Sequence, residues 1–182
     1  MRIVSLAMAA LAGCWAQSAG AEVTAISDAG FASRSQVEVP ASPEAAWQAM
    51  LQPGLWWSGE HTYSGSAANM SLAAVPGGCF CETIPGADGT GAIEHMRVIC
   101  VAPRSTIRLS GGLGPLQAEA VSGVLTMTVE PAGGGAKISW EYVVGGFMRR
   151  PMAELAPLVD RVIGEQLGRL GAHLANGATA AP

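Results

Sequence analysis

The candidates for acid–base chemistry in this sequence are His61, His95 and Tyr142. A histidine can accept or donate a proton near neutral pH, and a buried tyrosine hydroxyl needs a hydrogen-bond partner. Arg97 follows His95 by two residues, so on a strand both would share one face and could hold a carboxylate or polarise a carbonyl. Both faces of this segment also carry apolar residues, so the pattern leaves open whether the pair points inward or into solvent.

A second group of candidates follows the first predicted helix. Trp56, Trp57, His61 and Tyr63 lie close together in the sequence. Aromatic side chains with polar groups suit the mouth of a binding cavity, although large aromatics also fill protein cores, which is the alternative for both tryptophans. Glu60 and His61 could form a carboxylate–imidazole pair, but adjacent side chains usually point apart, which favours a loop contact instead.

Alternation of apolar and polar residues identifies the inner face of two late strands. Trp140 and Tyr142 belong to a row in which every second residue is apolar, and Met127 belongs to a similar row on the preceding strand. We therefore expect these three side chains to face the closing helix or a cavity. Plain core packing is the alternative.

The sequence contains no motif of a familiar catalytic type. Residues 111–115, Gly-Gly-Leu-Gly-Pro, lack the Lys-Ser/Thr of a phosphate-binding loop and predict a mobile loop that gates a cavity. Cys79 and Cys81 would share one face of a strand, either as small core residues or as metal ligands, but no Cys-x-x-Cys or nearby histidine supports the metal. We expect no metal, no cofactor and no catalytic residue.

The first 21 residues predict an export signal. A short positive start precedes an apolar run, and Ala19-Gly20-Ala21 supplies small residues for cleavage before Glu22. The competing interpretation is a lipoprotein signal in which Leu11-Ala12-Gly13 precedes a lipidated Cys14. The first interpretation predicts a periplasmic or secreted protein and the second a membrane-tethered one. No later segment offers eighteen consecutive apolar residues, so no membrane span is expected.

Composition narrows the classes of partner. The formal net charge is −4, with 10 Lys+Arg and 14 Asp+Glu, and there is no basic run, which argues against nucleic acid and anionic lipid. Charged residues make up only 13% of the chain and there are 24 glycines, as in a sheet protein with many turns. Three cysteines would remain after cleavage before Glu22 and would permit at most one internal bridge.

Proline and glycine divide the chain into a strand, two short helices, about six strands and a long helix. Ser42-Pro43 predicts the N-cap and first residue of a helix that ends at Pro53-Gly54, and residues 55–57 predict a short second helical turn. The predicted strands are 31–39, 66–75, 79–84, 92–101, 106–110, 121–130 and 136–144. The predicted divisions are a signal peptide at 1–21, an N-terminal linker at 22–30, one domain at 31–175 and a disordered tail at 176–182.

The closing segment predicts a long amphipathic helix, because Leu155, Val159, Val162, Ile163, Leu167, Leu170 and Leu174 recur at helical spacing. Arg161, Glu165 and Arg169 lie on its other side at i,i+4 spacing, and Pro157 either kinks the helix or begins it. Only this helix is long enough to cover a sheet. The predicted fold class is α+β: a curved antiparallel sheet of about six to seven strands around one C-terminal helix, with a gap between them.

This element order resembles the helix-grip fold of the START-like, or SRPBCC, superfamily. The motifs that carry the resemblance are Ser42-Pro43-Glu44-Ala45-Ala46-Trp47, Trp56-Trp57, Pro76-Gly77-Gly78-Cys79-Phe80, Val101-Ala102-Pro103-Arg104 and Gln166-Leu167-Gly168-Arg169-Leu170. The turn motifs are similar to the subgroup related to activators of heat-shock chaperone ATPases. The resemblance implies an internal cavity for an apolar or amphipathic molecule; some members are polyketide cyclases or dehydratases, and others carry lipids or hormones.

These observations predict an exported protein that binds a small hydrophobic or amphipathic molecule without catalysis. The predicted ligand-binding residues are Trp56, His61, Tyr63, His95, Arg97, Met127, Trp140 and Tyr142. One alternative is a cyclase- or dehydratase-type enzyme that acts on a hydrophobic substrate in the same cavity. The other is a structural or interaction module without a cavity. The chaperone-activating role of the subgroup requires a cytosolic chaperone, which the export signal opposes.

Overall fold

The molecule consists of one curved antiparallel sheet and a long C-terminal helix that lies across it. The structure is a computed structural model that describes residues 20–87 and 90–179. The strands are β1 Gly20–Ser27, β2 Gly30–Val39, β3 Met70–Leu72, β4 Cys79–Ile84, β5 Gly91–Ala102, β6 Thr106–Ser110, β7 Ala120–Ala132 and β8 Gly135–Phe147. Their order is β1-β2-β8-β7-β6-β5-β4-β3. The α-helices are α1 Pro43–Met50 and α2 Met152–Thr179. This arrangement confirms the predicted α+β helix-grip fold.

Helix α1 begins where the sequence predicts. The Ser42 hydroxyl accepts a hydrogen bond from the Ala45 backbone N–H at 3.2 Å, and Pro43 occupies the first helical position. Trp47 and Met50 are buried, so this short helix anchors the chain between β2 and the 3-10 turns that follow it. Those turns are Pro53–Leu55, Gly59–His61 and Ala67–Asn69.

Helix α2 lies against β1 and β2, with Ile163, Leu167 and Leu170 almost completely buried. Close approach to β1 depends on Gly164, because a Cβ added there would lie 2.5 Å from the Ala21 Cβ. The helix begins at Met152, so Pro157 lies inside it and is not its first residue. None of the helices among the described residues is long and apolar enough to cross a membrane.

Several sequence expectations need correction. The proposed linker 22–30 contains most of β1, which pairs along β2 and was missed because its side chains are mostly exposed and show no alternating inner face. The predicted strand 66–75 shortens to β3 behind a 3-10 turn. Helix α2 extends through 176–179, part of the expected disordered tail; residues 180–182 and the signal segment 1–19 lie outside the described residues.

Candidate functional site

A continuous row of aromatic rings runs from the buried centre of the sheet past His95 of β5 to Tyr63 at the surface. Neighbouring ring centroids are 5.7 Å apart for Trp140–Trp56, 5.6 Å for Trp56–Trp57, 5.4 Å for Trp57–Phe80, 5.3 Å for Phe80–His95 and 5.9 Å for His95–Tyr63. We call these six residues the aromatic row. It links four of the sequence-predicted site residues, Trp56, Tyr63, His95 and Trp140, and its two ends differ in chemistry.

The end at Trp140 carries buried polar groups that lack hydrogen-bond partners among the described residues. They are the Trp140 Nε1–H, the Gln166 Nε2 and the Ser35 Oγ. Ser35 lies directly opposite Trp140 in the β2–β8 ladder, and Gln166 reaches in from α2, where its Oε1 accepts the Ser58 backbone N–H at 2.8 Å. Leaving such a group unpaired costs about 1–3 kcal/mol. The groups therefore favour an additional partner with hydrogen-bonding atoms.

The other end is a buried carboxylate–imidazole pair. His95 Nε2 lies 3.0 Å from Glu82 Oε2, and the two side chains are 5% and 0% exposed. Glu82 also accepts backbone N–H groups of Tyr63, at 3.0 Å, and Ser64. The neutral imidazole donates through Nε2–H to an ionised Glu82, because a carboxylate can only accept, and this leaves the lone pair on Nδ1.

The environment favours an ionised Glu82 beside a neutral His95. Burial alone would raise the pKa of the Glu82 carboxyl, but hydrogen bonds from Ser64, Tyr63 and His95 together outweigh it and hold the pKa below its usual value of 4.5. Burial lowers the pKa of His95 below its usual 6.5, against a smaller raising effect of the Glu82 carboxylate. At neutral pH the histidine is therefore an acceptor at Nδ1, as a general base must be.

A β-bulge explains why His95 and Arg97 do not share a face, as the sequence analysis expected. Phe80 pairs with Met96, but the next residue, Cys81, pairs with Glu94, so His95 is the extra residue on β5. The consecutive residues His95 and Met96 are both buried. The Arg97 side chain is 52% exposed on the opposite face and forms an ion pair with Glu94. Both predicted alternatives were therefore wrong: the two side chains do not both point inward, and they are not both exposed.

Residues 111–118 form a loop that covers the end of the aromatic row at the Glu82–His95 pair. Two tyrosine hydroxyls bind this loop to the rest of the structure. The Tyr63 hydroxyl donates to the Gly114 carbonyl at 3.1 Å, and the Tyr142 hydroxyl donates to the Gly111 carbonyl at 3.0 Å. Tyr142 also accepts the Leu113 N–H at 3.1 Å, and its burial raises its pKa to about 12. The loop inserts the side chain of Leu116, 1% exposed, into the core.

Trp56 and Met127 lie buried in the core, and His61 lies near the surface. Trp56 is buried and its Nε1–H donates to the Ala49 carbonyl at 2.8 Å. Met127 is buried opposite Trp140 in the β7–β8 ladder. His61 pairs with Glu165 of α2 at 3.1 Å and not with Glu60. Glu165 thus contacts the loop after α1, as does Arg169, whose Nε donates to the Trp56 carbonyl at 2.9 Å.

The interior between α2 and the sheet is occupied by side chains in this structure. Trp140, Tyr142, Leu167, Leu170 and Gln166 are all fully buried there. A pocket of about 510 Å³ lies elsewhere, along β1, β2 and β8, and is lined mainly by polar and charged residues such as Glu22, Arg34, Glu38 and Lys137. The filled interior is what the alternative of an interaction module predicts, and the predicted internal cavity stays a prediction.

Cys79 and Cys81 form a disulfide, and Cys100 is a free thiol. The cysteine count permits one bridge, but the spacing of this pair predicted core residues or metal ligands, so the disulfide is a correction. Both are half-buried, and their ladder partners Arg97 and Glu94 are exposed, so the sulfurs lie on the outer face. Among the described residues, no three His, Cys, Asp or Glu side chains are grouped to hold a metal ion.

Sequence reasoning missed Glu82, Gln166 and Leu116. The sequence pattern does indicate Glu82, because it shares a strand face with the apolar Phe80. A carboxylate on the inner face of a sheet requires a hydrogen-bond partner. Gln166 is the polar residue beside Leu167 on the buried side of the predicted helix. No comparable pattern marks Leu116, whose burial depends on how the loop folds back.

The chain is similar to known proteins in sequence pattern and in fold. Residues 31–175 match the family model described as polyketide cyclase / dehydrase and lipid transport. No curated protein matches the chain. A protein from Rhizobium leguminosarum is 18% identical with a TM-score of 0.58, covering 87% of this chain and 98% of that one.

Two further solved structures show the same fold. The Aha1 dimer from Colwellia psychrerythraea is 16% identical with a TM-score of 0.52, covering 79% of this chain and 96% of that one. Ara h 8.0201 is 16% identical with a TM-score of 0.52, covering 81% and 99%. At these identities the likeness concerns the fold alone. Together with the family match, it confirms the predicted resemblance to the START-like, or SRPBCC, superfamily.

Proposed function

The chain belongs to the polyketide cyclase/dehydrase and lipid transport family, and we propose that it binds a small amphipathic molecule without changing it chemically. The ligand lies between α2 and the sheet, with its apolar part along the aromatic row. Its hydrogen-bond acceptors face the Trp140 indole N–H and the Gln166 amide. Burial of apolar ligand surface supplies the affinity, at about 25 cal/mol per Å².

The observation that carries this proposal is the set of unpartnered polar groups in an otherwise apolar interior. Trp140 Nε1 and Gln166 Nε2 are donors, and both side chains are essentially inaccessible to solvent. Most buried polar groups in proteins are hydrogen-bonded, so two buried donors without a partner among the described residues mark places where a partner belongs. A carbonyl, carboxylate or ether oxygen of a ligand would satisfy them. A wholly apolar ligand would not.

Entry of the ligand requires residues 111–118 to move. Leu116 fills part of the core, and the loop is attached through the hydroxyls of Tyr63 and Tyr142. The Gln117 side chain also donates to the Glu94 carbonyl at 2.7 Å. Opening the loop must break these hydrogen bonds and expose Leu116, which would vacate volume beside the aromatic row. The loop is thus the gate of the proposed site.

Native mass spectrometry of the protein purified from its own host tests this proposal. We expect a bound species of defined mass that is lost on denaturation and contains at least one hydrogen-bond acceptor. Trp140→Phe keeps an aromatic ring and Gln166→Leu keeps nearly the same side-chain volume, but both remove the donor, so both variants should retain less of the bound species. Absence of any bound species, and of any effect of the two variants, would support the alternative of an interaction module with a filled interior.

We also propose that the protein is exported, either periplasmic or secreted after cleavage before Glu22 or tethered through a lipid on Cys14. The two processing routes differ in what they leave of β1. Cleavage before Glu22 removes Gly20 and Ala21, which pair with Gln36 and Ser35, whereas processing at Cys14 retains the whole strand. The mass of the mature protein distinguishes the two routes.

The buried Glu82–His95 pair favours a second candidate function, an enzyme of the cyclase or dehydratase type. Glu82 fixes the proton on Nε2, and the Nδ1 lone pair of His95 could remove a proton from a carbon next to a carbonyl of the bound substrate. The 5% exposure of His95 means that a substrate would reach it only with the loop open.

The two candidate functions predict different fates for the bound molecule. We would extract it, return it to fresh protein in D2O, and follow its mass and NMR spectrum. A binder leaves the molecule unchanged, whereas a His95-dependent base introduces deuterium next to a carbonyl or converts the molecule to a product. The variant His95→Gln should abolish that change while preserving binding at the Trp140 end.

A further inference from the structure

The Cys79–Cys81 disulfide lies outside the proposed ligand site and points to a separate chemistry. The two cysteines flank Phe80 on β4 with Cα atoms 5.3 Å apart, within the range that a disulfide spans. Phe80 points into the aromatic row, and both cysteines are half-buried on the opposite face of the sheet. The sulfurs are therefore accessible from solvent without opening the interior.

This bridge contributes little as a covalent staple. The stabilisation from a disulfide grows with the length of chain that it closes, and this one encloses a single residue. Strand β4 is already fixed in the sheet by pairing with β3 and β5. A bridge between positions that the sheet itself holds together can open and close while the fold persists.

Two oppositely charged residues lie beside the bridge. Arg97 is directly opposite Cys79 in the β4–β5 ladder, and Glu94 is directly opposite Cys81. Their side chains form an ion pair, and the Arg97 guanidinium also donates to the Gly77 carbonyl at 2.8 Å, two residues before Cys79. Glu94 offsets part of the positive charge, but the register places the cation on the Cys79 side, which makes Cys79 the better leaving group when the bridge is attacked.

We infer that Cys79–Cys81 is a redox-active disulfide that exchanges with the dithiol of a substrate protein or peptide. One substrate thiolate attacks the Cys81 Sγ; the Cys79–Cys81 bond breaks, and Cys79 leaves as a thiolate. The second substrate thiolate attacks the substrate sulfur that is bonded to Cys81, and Cys81 is released as a thiolate. The substrate is oxidised to a disulfide, and Cys79 and Cys81 receive the two electrons and two protons. A second disulfide compound, such as oxidised glutathione, then accepts the two electrons and two protons from Cys79 and Cys81, which re-forms their bridge.

The first test measures whether the bridge cycles in the folded protein. We would equilibrate the full chain in buffers of reduced and oxidised glutathione, trap free thiols with a maleimide, and count them by mass. We expect two thiols to appear and disappear reversibly, with little change in the thermal midpoint. A bridge that stays closed until the protein unfolds, or two thiols that remain free in oxidised glutathione, would overturn the inference.

The second test measures turnover on a synthetic peptide containing two cysteines, with oxidised glutathione as the final oxidant. The wild type and Cys100→Ser should speed closure of the peptide equally, and Cys79→Ser and Cys81→Ser should be inactive. Arg97→Gln should slow the reaction several-fold, whereas Arg108→Gln, another exposed arginine on the sheet, should not. Equal rates for all proteins would contradict the inference, and circular dichroism verifies that each variant is folded.

A third measurement tests the assigned asymmetry of the two sulfurs. Iodoacetamide should alkylate Cys79 in the Cys81→Ser variant faster than Cys81 in the Cys79→Ser variant, and Arg97→Gln should remove the difference. Faster alkylation of Cys81 would show that the thiolate roles are reversed and would overturn this part of the inference. None of these readouts depends on a ligand in the interior, so the proposed binding function and this inference can fail separately.

Discussion

The sheet has two unlike halves. Strands β2, β7 and β8 pair in unbroken register over long stretches, and α2 covers β1 and β2 beside them. Strands β3, β4 and β6 are shorter, and the ladders that the long strand β5 forms with β4 and β6 each contain a register shift. The regular half presents the unpartnered groups of Ser35 and Trp140. The irregular half carries the Glu82–His95 pair, the disulfide and the loop that covers the interior.

The contrast shows where each kind of group can be built. Unbroken pairing fixes which face a residue occupies, so the regular half forms a stable wall against which a ligand can be held. A bulge places an extra side chain on the inner face, which is how His95 comes to lie beside Glu82. The irregular half therefore contains the reactive groups because its strand pairing is interrupted. The following predictions test this difference between the two halves.

The largest effect should follow from breaking the buried pair. Glu82→Ala leaves the His95 imidazole and the Tyr63 and Ser64 N–H groups without their acceptor. We expect the free energy of unfolding to fall by at least about 3 kcal/mol, because three donors around the buried carboxylate lose their acceptor at a cost of about 1–3 kcal/mol each. Urea unfolding measures it. Glu94→Ala is the matched control on the exposed face of β5, and a similar loss there would show that burial is not the cause.

Overpacking the regular half should have a smaller effect. In Gly164→Ala the new methyl group would lie 2.5 Å from the Ala21 Cβ, so α2 and β1 must separate, at a cost of about 1–3 kcal/mol. Gly177→Ala, which meets no atom within 4 Å, should instead be neutral or stabilising. If the mature chain begins at Glu22, Ala21 is absent and the penalty at Gly164 should disappear. Thermal unfolding of both variants in chains of both lengths checks this.

Loosening the loop of residues 111–118 should lower the stability of the fold only slightly but should clearly increase access of a ligand to the interior. Tyr142→Phe removes the hydrogen bonds to Gly111 and Leu113. We expect a loss of about 1 kcal/mol per bond and faster binding of 8-anilinonaphthalene-1-sulfonate, measured by stopped-flow fluorescence. Val143→Ala, at an exposed position of the same strand, is the control. An unchanged association rate in Tyr142→Phe would mean that the loop is not the gate.

The gentlest perturbation is a change of pH. The pKa of His95 in the folded protein lies below its usual 6.5, so the unfolded chain binds this proton more readily. Stability should therefore fall as the pH drops from about 7 to values below 6.5, where the unfolded chain takes up the His95 proton. The folded pKa of Glu82 is also lowered, so a further loss of stability should follow below pH 4.5. Urea unfolding between pH 7 and 5 should show a flatter slope for His95→Gln. A wild-type slope of the opposite sign would contradict the assignment.

The sequence predicted the regular half well and the irregular half poorly, for one physical reason. Trp140 and Tyr142 face inward as predicted because β8 alternates without interruption. Regular alternation predicts that His95 and Arg97 share one face of β5. A bulge separates them, and no local residue pattern predicts this bulge. The edge strand β1 buries little and so carries little signal. Glu82 and Gln166 acquire their roles through partners that are distant in sequence: His95 lies 13 residues from Glu82, and Ser58 lies 108 residues from Gln166.

The most direct test of the proposed site is the indole N–H signal of Trp140 in 15N-tryptophan-labelled protein. The Trp56 and Trp57 indoles already donate to backbone carbonyls, at 2.8 and 3.0 Å, and serve as internal references, while Trp140→Phe assigns the signal. Addition of 8-anilinonaphthalene-1-sulfonate should shift the Trp140 signal downfield and slow its exchange with D2O, with smaller changes in the references. An unperturbed Trp140 signal in the saturated complex would contradict a ligand held between α2 and the sheet.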